Sequence, residues 1–339
     1  MAKLPPTYHA VIVDQQQQLA KLIRNAGVKP VKKMYERMLE DLTKKLDATA
    51  SGTFTHQQLQ GMMGQVKLSL GTMTKQVAGH VKNAAADVGV HAGRQVLENA
   101  AKLEHKFTGA VVPLPTLQIG RLQGLVQDQT PSLMRVHETS MRTFGKALAG
   151  RIETELASSL SMAEDQSRAI ERVADVADLE WWRAERIVRT ELSYSANAGA
   201  RVALEEQAED LDGDMWMMWS EHVSDDGMPL DDRVGVDSEA MHGQVAPPGG
   251  MFTQPPTNRE GEEVSESLVG EQWACPPNRP HDRAVLVPWR VSWGVPGWIW
   301  RGGRRTPVTE AMVTRMNARW MRSRGREPDP ASALEDEEE

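Results

Sequence analysis

Cysteine is almost missing from this chain: Cys275 is the one thiol in 339 residues. An internal disulfide framework and any metal site built from several thiolates are therefore excluded, and stability has to come from packing or from partners. Long hydrophobic runs are missing as well. No stretch approaches the roughly 18 uncharged apolar residues of a membrane span, so no membrane partner is expected. Residues 1–10 lack the basic start and apolar stretch of a signal peptide, and no secretory address is expected either. Phenylalanine and tyrosine are scarce, at four and three, against ten tryptophans and eighteen methionines. Residues 327–339 contain no base and seven acids, whereas residues 301–326 carry eight arginines against the single acid Glu310.

The net charge of −8 is thus a sum of separated blocks: residues 1–110 carry +7, residues 111–300 carry −15, residues 301–326 carry +7 and residues 327–339 carry −7. Blocks of this kind are either solvated faces or sites for an oppositely charged partner, nucleic acid included.

A chain of this length suggests two units on the soft rule of roughly 150 residues per domain. Apolar residues recur at steps of three and four at Leu59, Met62, Met63, Val66, Leu70, Met73, Val77, Val81, Ala84 and Val88, which predicts one long helix. Thr55 is its expected N-cap, and Pro113 and Pro115 close the region. Gly61, Gly64, Gly71 and Gly79 weaken such a helix by about 1 kcal/mol each relative to alanine, so neighbouring helices or another subunit should support it. Shorter helices around residues 15–25 and 31–46, separated by Gly27 and Pro30, are available for that role. The methionine stripe reads as helical core in preference to an adaptable binding surface. Helical pattern resumes over about 132–155 and again over 162–207.

At Asp210 the texture changes. The run of residues 215–219, M-W-M-M-W, reads as a buried strand, prolines and glycines follow up to Pro307, and seven of the ten tryptophans lie in this stretch or at its start. The expected fold is therefore a mostly α N-terminal helical arm followed by a compact α+β module. Thr306 and Pro307 then look like the cap and first residue of a final helix, with Glu310 in its first turn. On that helix Arg315, Arg319, Arg322 and Arg326 form one stripe beside Met312, Met316 and Trp320. The acid-rich end after Pro328 and Pro330 is expected to be a disordered tail.

Residues 183–191 read R-A-E-R-I-V-R-T-E, residues 219–244 carry a tryptophan, D-D-R at 231–233 and H-G at 242–243, and residues 276–283 form a proline-rich turn. In order and spacing this set resembles the phage Mu F-like minor head protein, or head morphogenesis, family across residues 162–290. The family-motif positions are Arg189, Thr190, Glu191, Trp219, Asp231, Arg233, His242 and Gly243. Where many relatives have a histidine four residues before H-G this chain has Ser238, and where they have C-R-C it has Asp282, Arg283 and Ala284. The resemblance implies a virion component, present in few copies, that binds the portal protein and inner capsid shell, with packaged double-stranded DNA as a further partner. It places the chain in the head or at its portal, and in the host cytoplasm during assembly. The N-terminal helices fall outside the resemblance, and the expected organisation is an assembly arm over 1–112, able to self-associate through its helices, the family module over 113–300 with its core at 162–290, a basic helix over 301–326 and the acidic tail over 327–339.

An enzymatic alternative delivered with the virion rests on two features. His222, Asp225, Asp226, His242, Cys275, His281 and Asp282 are the types zinc accepts, but none of their spacings matches a tight metal-binding pair. Arg189, Thr190 and Glu191 invite comparison with ADP-ribosyltransferases, yet on a helix Arg189 reaches Glu185 one turn back, and Glu191 is expected to face a basic group across the fold. No cofactor and no turnover are expected. The arginine stripe at 315, 319, 322 and 326 is expected to contact DNA phosphates or an acidic partner, the competing reading being that it pairs with the acidic middle of the same chain.

Overall fold

The computed structural model describes residues 5–48, 55–111, 119–162, 164–221, 234–277 and 283–327. The chain is mostly helical up to Asp210 and mixed α and β beyond it, the fold class expected from the sequence. Among the described residues five α-helices come first: α1 (Pro6–Ile23), α2 (Lys29–Ala48), α3 (His56–Thr108), α4 (Ile119–Ser161) and α5 (Gln166–Asp210). Then follow β1 (Trp216–Ser220), the single turn α6 (Val236–Glu239), β2 (Val245–Ala246), β3 (Phe252–Thr253), β4 (Gln272–Trp273), β5 (Val285–Trp289), β6 (Trp298–Arg301), β7 (Arg304–Pro307) and α7 (Glu310–Ser323).

Helix starts follow local chemistry. Thr55 Oγ1 accepts from the Gln58 amide at 3.3 Å while Gln58 Oε1 accepts from the Thr55 amide at 2.7 Å, a reciprocal capping box. Asp165 caps α5 by accepting from the Arg168 amide at 2.8 Å. The apolar stripe of α3 is core: Met62, Met63, Val66, Leu70, Met73, Val77, Val81, Ala84 and Val88 are all buried. Its glycines 61, 64, 71 and 79 lie on the exposed side, with nothing within 4 Å of a would-be Cβ.

Three sequence expectations are corrected. Gly27 and Pro30 do not separate two helices, because a π-helical turn at Arg24–Val28 carries α1 straight into α2. Pro30 has no N–H to offer the carbonyl of Ala26 four residues back, and a wider π-turn absorbs the defect. The orphaned Ala26 carbonyl is met by His80 Nε2 at 2.8 Å, so that ring nitrogen must donate. Gly27 is needed there because a Cβ would collide with Leu192 and come within 3.0 Å of Val188. Second, α4 begins at Ile119 and runs through Pro131, earlier than the expected start near 132. Third, Thr306 and Pro307 belong to β7; the cap of α7 is Thr309, whose hydroxyl accepts from the Met312 amide at 3.4 Å.

The described chain forms two compact units, each assembled from several segments: residues 1–21, 86–129 and 193–339 in one, residues 22–85 and 130–192 in the other. All four crossings between them fall inside helices, within α1, α3, α4 and α5. The division therefore differs from a boundary near residue 112, because most of α1 and the part of α3 from residue 86 on fold with the sheet. In the helical unit Tyr35 donates to the Ala177 carbonyl at 2.5 Å and packs on Trp181 with centroids 5.4 Å apart. Buried Glu180 is held between Arg151 and Arg183.

In the other unit β1 is the middle strand of an antiparallel sheet ordered β2-β1-β5, with Trp219 opposite Leu286 and Met217 opposite Pro288. All five residues of β1 and of β5 are buried. The outer edge of β5 is closed by side chains. Asn197 on α5 imitates a strand, accepting from the Leu286 amide at 2.8 Å and donating to the Ala284 carbonyl at 3.1 Å. Gln15 on α1 donates to the Leu286 carbonyl at 2.7 Å, and Tyr8 to the Pro288 carbonyl at 2.8 Å. Pro288 sits where no amide is required, so this edge offers nothing to an incoming strand.

Candidate functional site

The motif residues of the α+β unit that lie among those described meet at one buried joint. Trp219 has its ring edge on Phe252, with centroids 5.4 Å apart, and its indole N–H donates to Glu221 Oε1 at 2.7 Å. The loop of residues 240–243 turns back onto β1: the Gly243 amide donates to the Trp219 carbonyl, and the Trp219 amide to the Gln244 carbonyl, both at 2.9 Å. Gly243 has φ of 78°, and a Cβ there would come within 3.0 Å of Arg259 Nη2 and 3.4 Å of Trp298 Nε1. Glycine is required by both conformation and space. The His242 carbonyl accepts from Trp298 Nε1 at 3.0 Å and Arg259 Nη2 at 3.4 Å.

The His242 ring is buried, and its Nδ1 accepts from the Glu221 amide at 3.2 Å, which places the ring proton on Nε2. Burial, reinforced by the Arg259 cation, lowers its pKa to about 3. At neutral pH the imidazole is uncharged, and the lone pair a metal would need at Nδ1 is occupied. Cys275 is also buried; burial outweighs the nearby Arg201 guanidinium and the Tyr194 hydroxyl and pushes its thiol up to about 12, so it is not a thiolate at neutral pH. His222, Asp225, Asp226, His281 and Asp282, together with the motif residues Asp231 and Arg233, lie outside the described residues. Among the described residues no group of three His, Cys, Asp or Glu side chains is placed to hold a metal ion.

The remaining motif segment lies on α5 in the helical unit. Arg189 Nε donates to Glu185 Oε1 at 2.8 Å, as the i, i+4 spacing predicts, and Thr190 donates to the Arg186 carbonyl at 2.9 Å. Glu191 differs from expectation: among the described residues no basic partner faces it, and burial raises its carboxyl to about 7. Earlier on the same helix Trp182 is exposed, with Arg186 and Arg183 over its ring at 5.0 and 5.4 Å.

The C-terminal arginines divide. Arg319 and Arg322 are exposed on α7 and Arg315 is half-buried, while Arg326 lies beyond the end of the helix and donates to the Glu209 carbonyl at 2.6 Å. Arg324 pairs with Glu209 at 3.6 Å and stacks on Trp320. Part of the basic block is therefore tied to its own chain.

Several buried polar residues of the sheet unit are not evident from composition or periodicity. Gln16 donates to the Glu221 carbonyl at 2.8 Å, and Asn99 donates to Gln15 at 3.0 Å. The one signal was the run of four glutamines at residues 15–18 inside an amphipathic pattern. Glu104 and Asp214, which hold Arg290, had none. Compared with protein-family models, with curated proteins and with solved structures, the chain matches none.

Proposed function

We propose that this chain is a minor structural protein of a tailed-phage head, of the phage Mu F-like head morphogenesis type. It binds the portal or inner capsid shell during assembly and contacts packaged double-stranded DNA. The observation that carries this reading is the use made of the motif residues. Trp219 and Gly243 bond each other through the backbone, while Glu221 takes the Trp219 indole and His242 Nδ1, and Trp298 and Arg259 take the His242 carbonyl, with a neutral histidine at the centre. A signature consumed by a fold-defining joint suits a protein that works by shape and binding more than one that turns substrate over. Exposed Trp182, Leu179 and Leu68, at 48%, 68% and 64% exposure, supply large apolar groups of the kind buried at protein interfaces.

The test is mass spectrometry of purified particles. A few copies per head, retained after removal of soluble protein, are expected; absence of the chain from assembled heads sinks the assignment. The alternative, an enzyme carried in the virion that is metal-dependent or resembles an ADP-ribosyltransferase, draws on Glu191, a carboxyl poised near neutrality. Elemental analysis of the purified full chain decides its metal form. About one zinc or manganese per chain, lost on His222→Ala or His242→Ala, would displace the assembly reading.

A further inference from the structure

The fold sorts the eight arginines of residues 301–326 by what engages them. Arg305 lies over the Trp298 ring at 5.0 Å and donates to the carbonyls of Asn258, Ala240 and Thr257 at 2.9, 3.3 and 2.6 Å, so it anchors the β6–β7 ribbon. Arg324 and Arg326 are held at Glu209. Arg301 and Arg304 are exposed, and among the described residues no carboxylate or carbonyl engages either.

These two stand directly opposite each other in the β6–β7 ladder. Between them Gly302 and Gly303 make the reversal, with φ of 58° and 75°, the left-handed pair that a two-residue hairpin turn demands. Like charges directly opposite in a ladder repel and weaken the pairing. The ribbon therefore ends in two adjacent guanidiniums with no side chain at the turn to shield them, a placement that local stability does not explain and that an external anion would relieve.

We propose that the tip of the β6–β7 ribbon is a contact for the phosphate backbone of duplex DNA. Each guanidinium can hold a phosphate with two parallel hydrogen bonds, and a two-stranded ribbon is narrow enough to enter a groove of the duplex. The tip carries no apolar anchor of the type that dominates protein–protein interfaces, so a periodic polyanion matches it better than a folded acidic protein. The inference places a DNA contact of the proposed function on the ribbon tip, and rests on that reading only for the source of the DNA.

The test is binding of the full chain to a random-sequence duplex, followed by fluorescence anisotropy across a salt series. Neutralising Arg301 and Arg304 together by substitution with Gln should reduce the slope of log K against log salt by about 2, at roughly 0.9 per phosphate contact. The pair Arg324→Gln and Arg326→Gln should leave the slope unchanged, since those side chains are already engaged. Loss of the Arg301–Arg304 repulsion should leave the thermal midpoint unchanged or raise it. If the double variant fails to fold, Arg304→Gln alone, with a slope change of about 1, carries the test. A slope in R301Q/R304Q equal to that of the unsubstituted chain overturns the proposal. So does failure of the full chain to bind DNA at low salt, or binding to polyglutamate in place of DNA. Absence of the chain from assembled heads would remove the head assignment and leave this slope unaffected.

Discussion

Replacing Arg290 with methionine should cost the α+β unit about 3 kcal/mol, and the reason lies in what the guanidinium holds. Arg290 Nη1 is 2.7 Å from Glu104 Oε2, and its Nε and Nη2 meet Asp214 Oδ2, the first at 3.0 Å. Trp293 Nε1 donates to the same Glu104 oxygen at 2.8 Å, and Thr108 to the other at 3.0 Å. The Glu104 side chain is 6% exposed and that of Arg290 16%, so this is a buried pair. Burial by itself pushes the Glu104 carboxyl up, but the Trp293, Arg290 and Thr108 contacts outweigh it and hold its pKa below the ordinary carboxylate value. Deleting one partner of such a pair costs about 3–5 kcal/mol, because the other charge stays buried. Asp214, a third exposed, regains water, which puts the expected loss at the lower end. Glu104→Gln keeps the shape and should cost about 1–2 kcal/mol. The double variant with Glu104→Leu and Arg290→Met should recover part of the single loss, since two apolar groups replace two charges. Because the Glu104 pKa is depressed by folding, its contribution is present above the unfolded carboxylate pKa of about 4.3 and is lost as pH falls through the folded value. The gap between the unsubstituted chain and Arg290→Met should therefore narrow in acid. Urea unfolding followed by both tryptophan fluorescence and far-ultraviolet circular dichroism is the assay, two probes being needed because the chain has two units. A loss under about 0.5 kcal/mol at pH 7, or a double variant less stable than Arg290→Met alone, would refute this account.

Glu191 carries the opposite pH signature. Its pKa is raised by burial to about 7, so the folded state holds its proton longer than the unfolded chain, and stability falls as pH rises from the unfolded value through 7. Glu191→Gln should gain up to about 3–4 kcal/mol at pH 8 and nothing at pH 4; equal effects at both pH values would count against a carboxyl raised by burial. Glycines should also behave in two ways. Gly199→Ala should destabilise by at least 1–3 kcal/mol because its Cβ would strike the backbone of Gly89. Gly61, Gly64, Gly71 and Gly79, open to space, should each gain up to about 1 kcal/mol as alanine, and thermal melts of the five variants check both claims. Deleting residues 327–339 removes seven acids and should tighten DNA binding; unchanged affinity would show that the tail does not compete.

Local signals in the chain proved sufficient wherever structure follows from neighbours in sequence. The three- and four-residue steps of α3, its Thr55 cap and the buried run of β1 were all legible, because helical periodicity and a short apolar strand are properties of a few consecutive residues. Arg189 with Glu185 is the same kind of fact, one turn apart on one helix. Thr306-Pro307 has the local chemistry of a helix start, but both residues are taken into β7 by pairing with β6, and the cap of α7 falls three residues later at Thr309. Pro30 and Gly27 read as a break, yet the carbonyl that Pro30 leaves unpaired is met by His80, 54 residues from Ala26. Contacts of that range have no local signature. For the same reason Gln15, Asn197 and Tyr8, ordinary helical residues in sequence, became the cover of the β5 edge only once α1 and α5 lay beside it. Tertiary structure likewise decided which arginines are spent on Glu209 and on backbone carbonyls and which two face each other at the ribbon tip. Composition sets how much charge a chain carries, but whether each charge finds a partner depends on distances that only packing brings about.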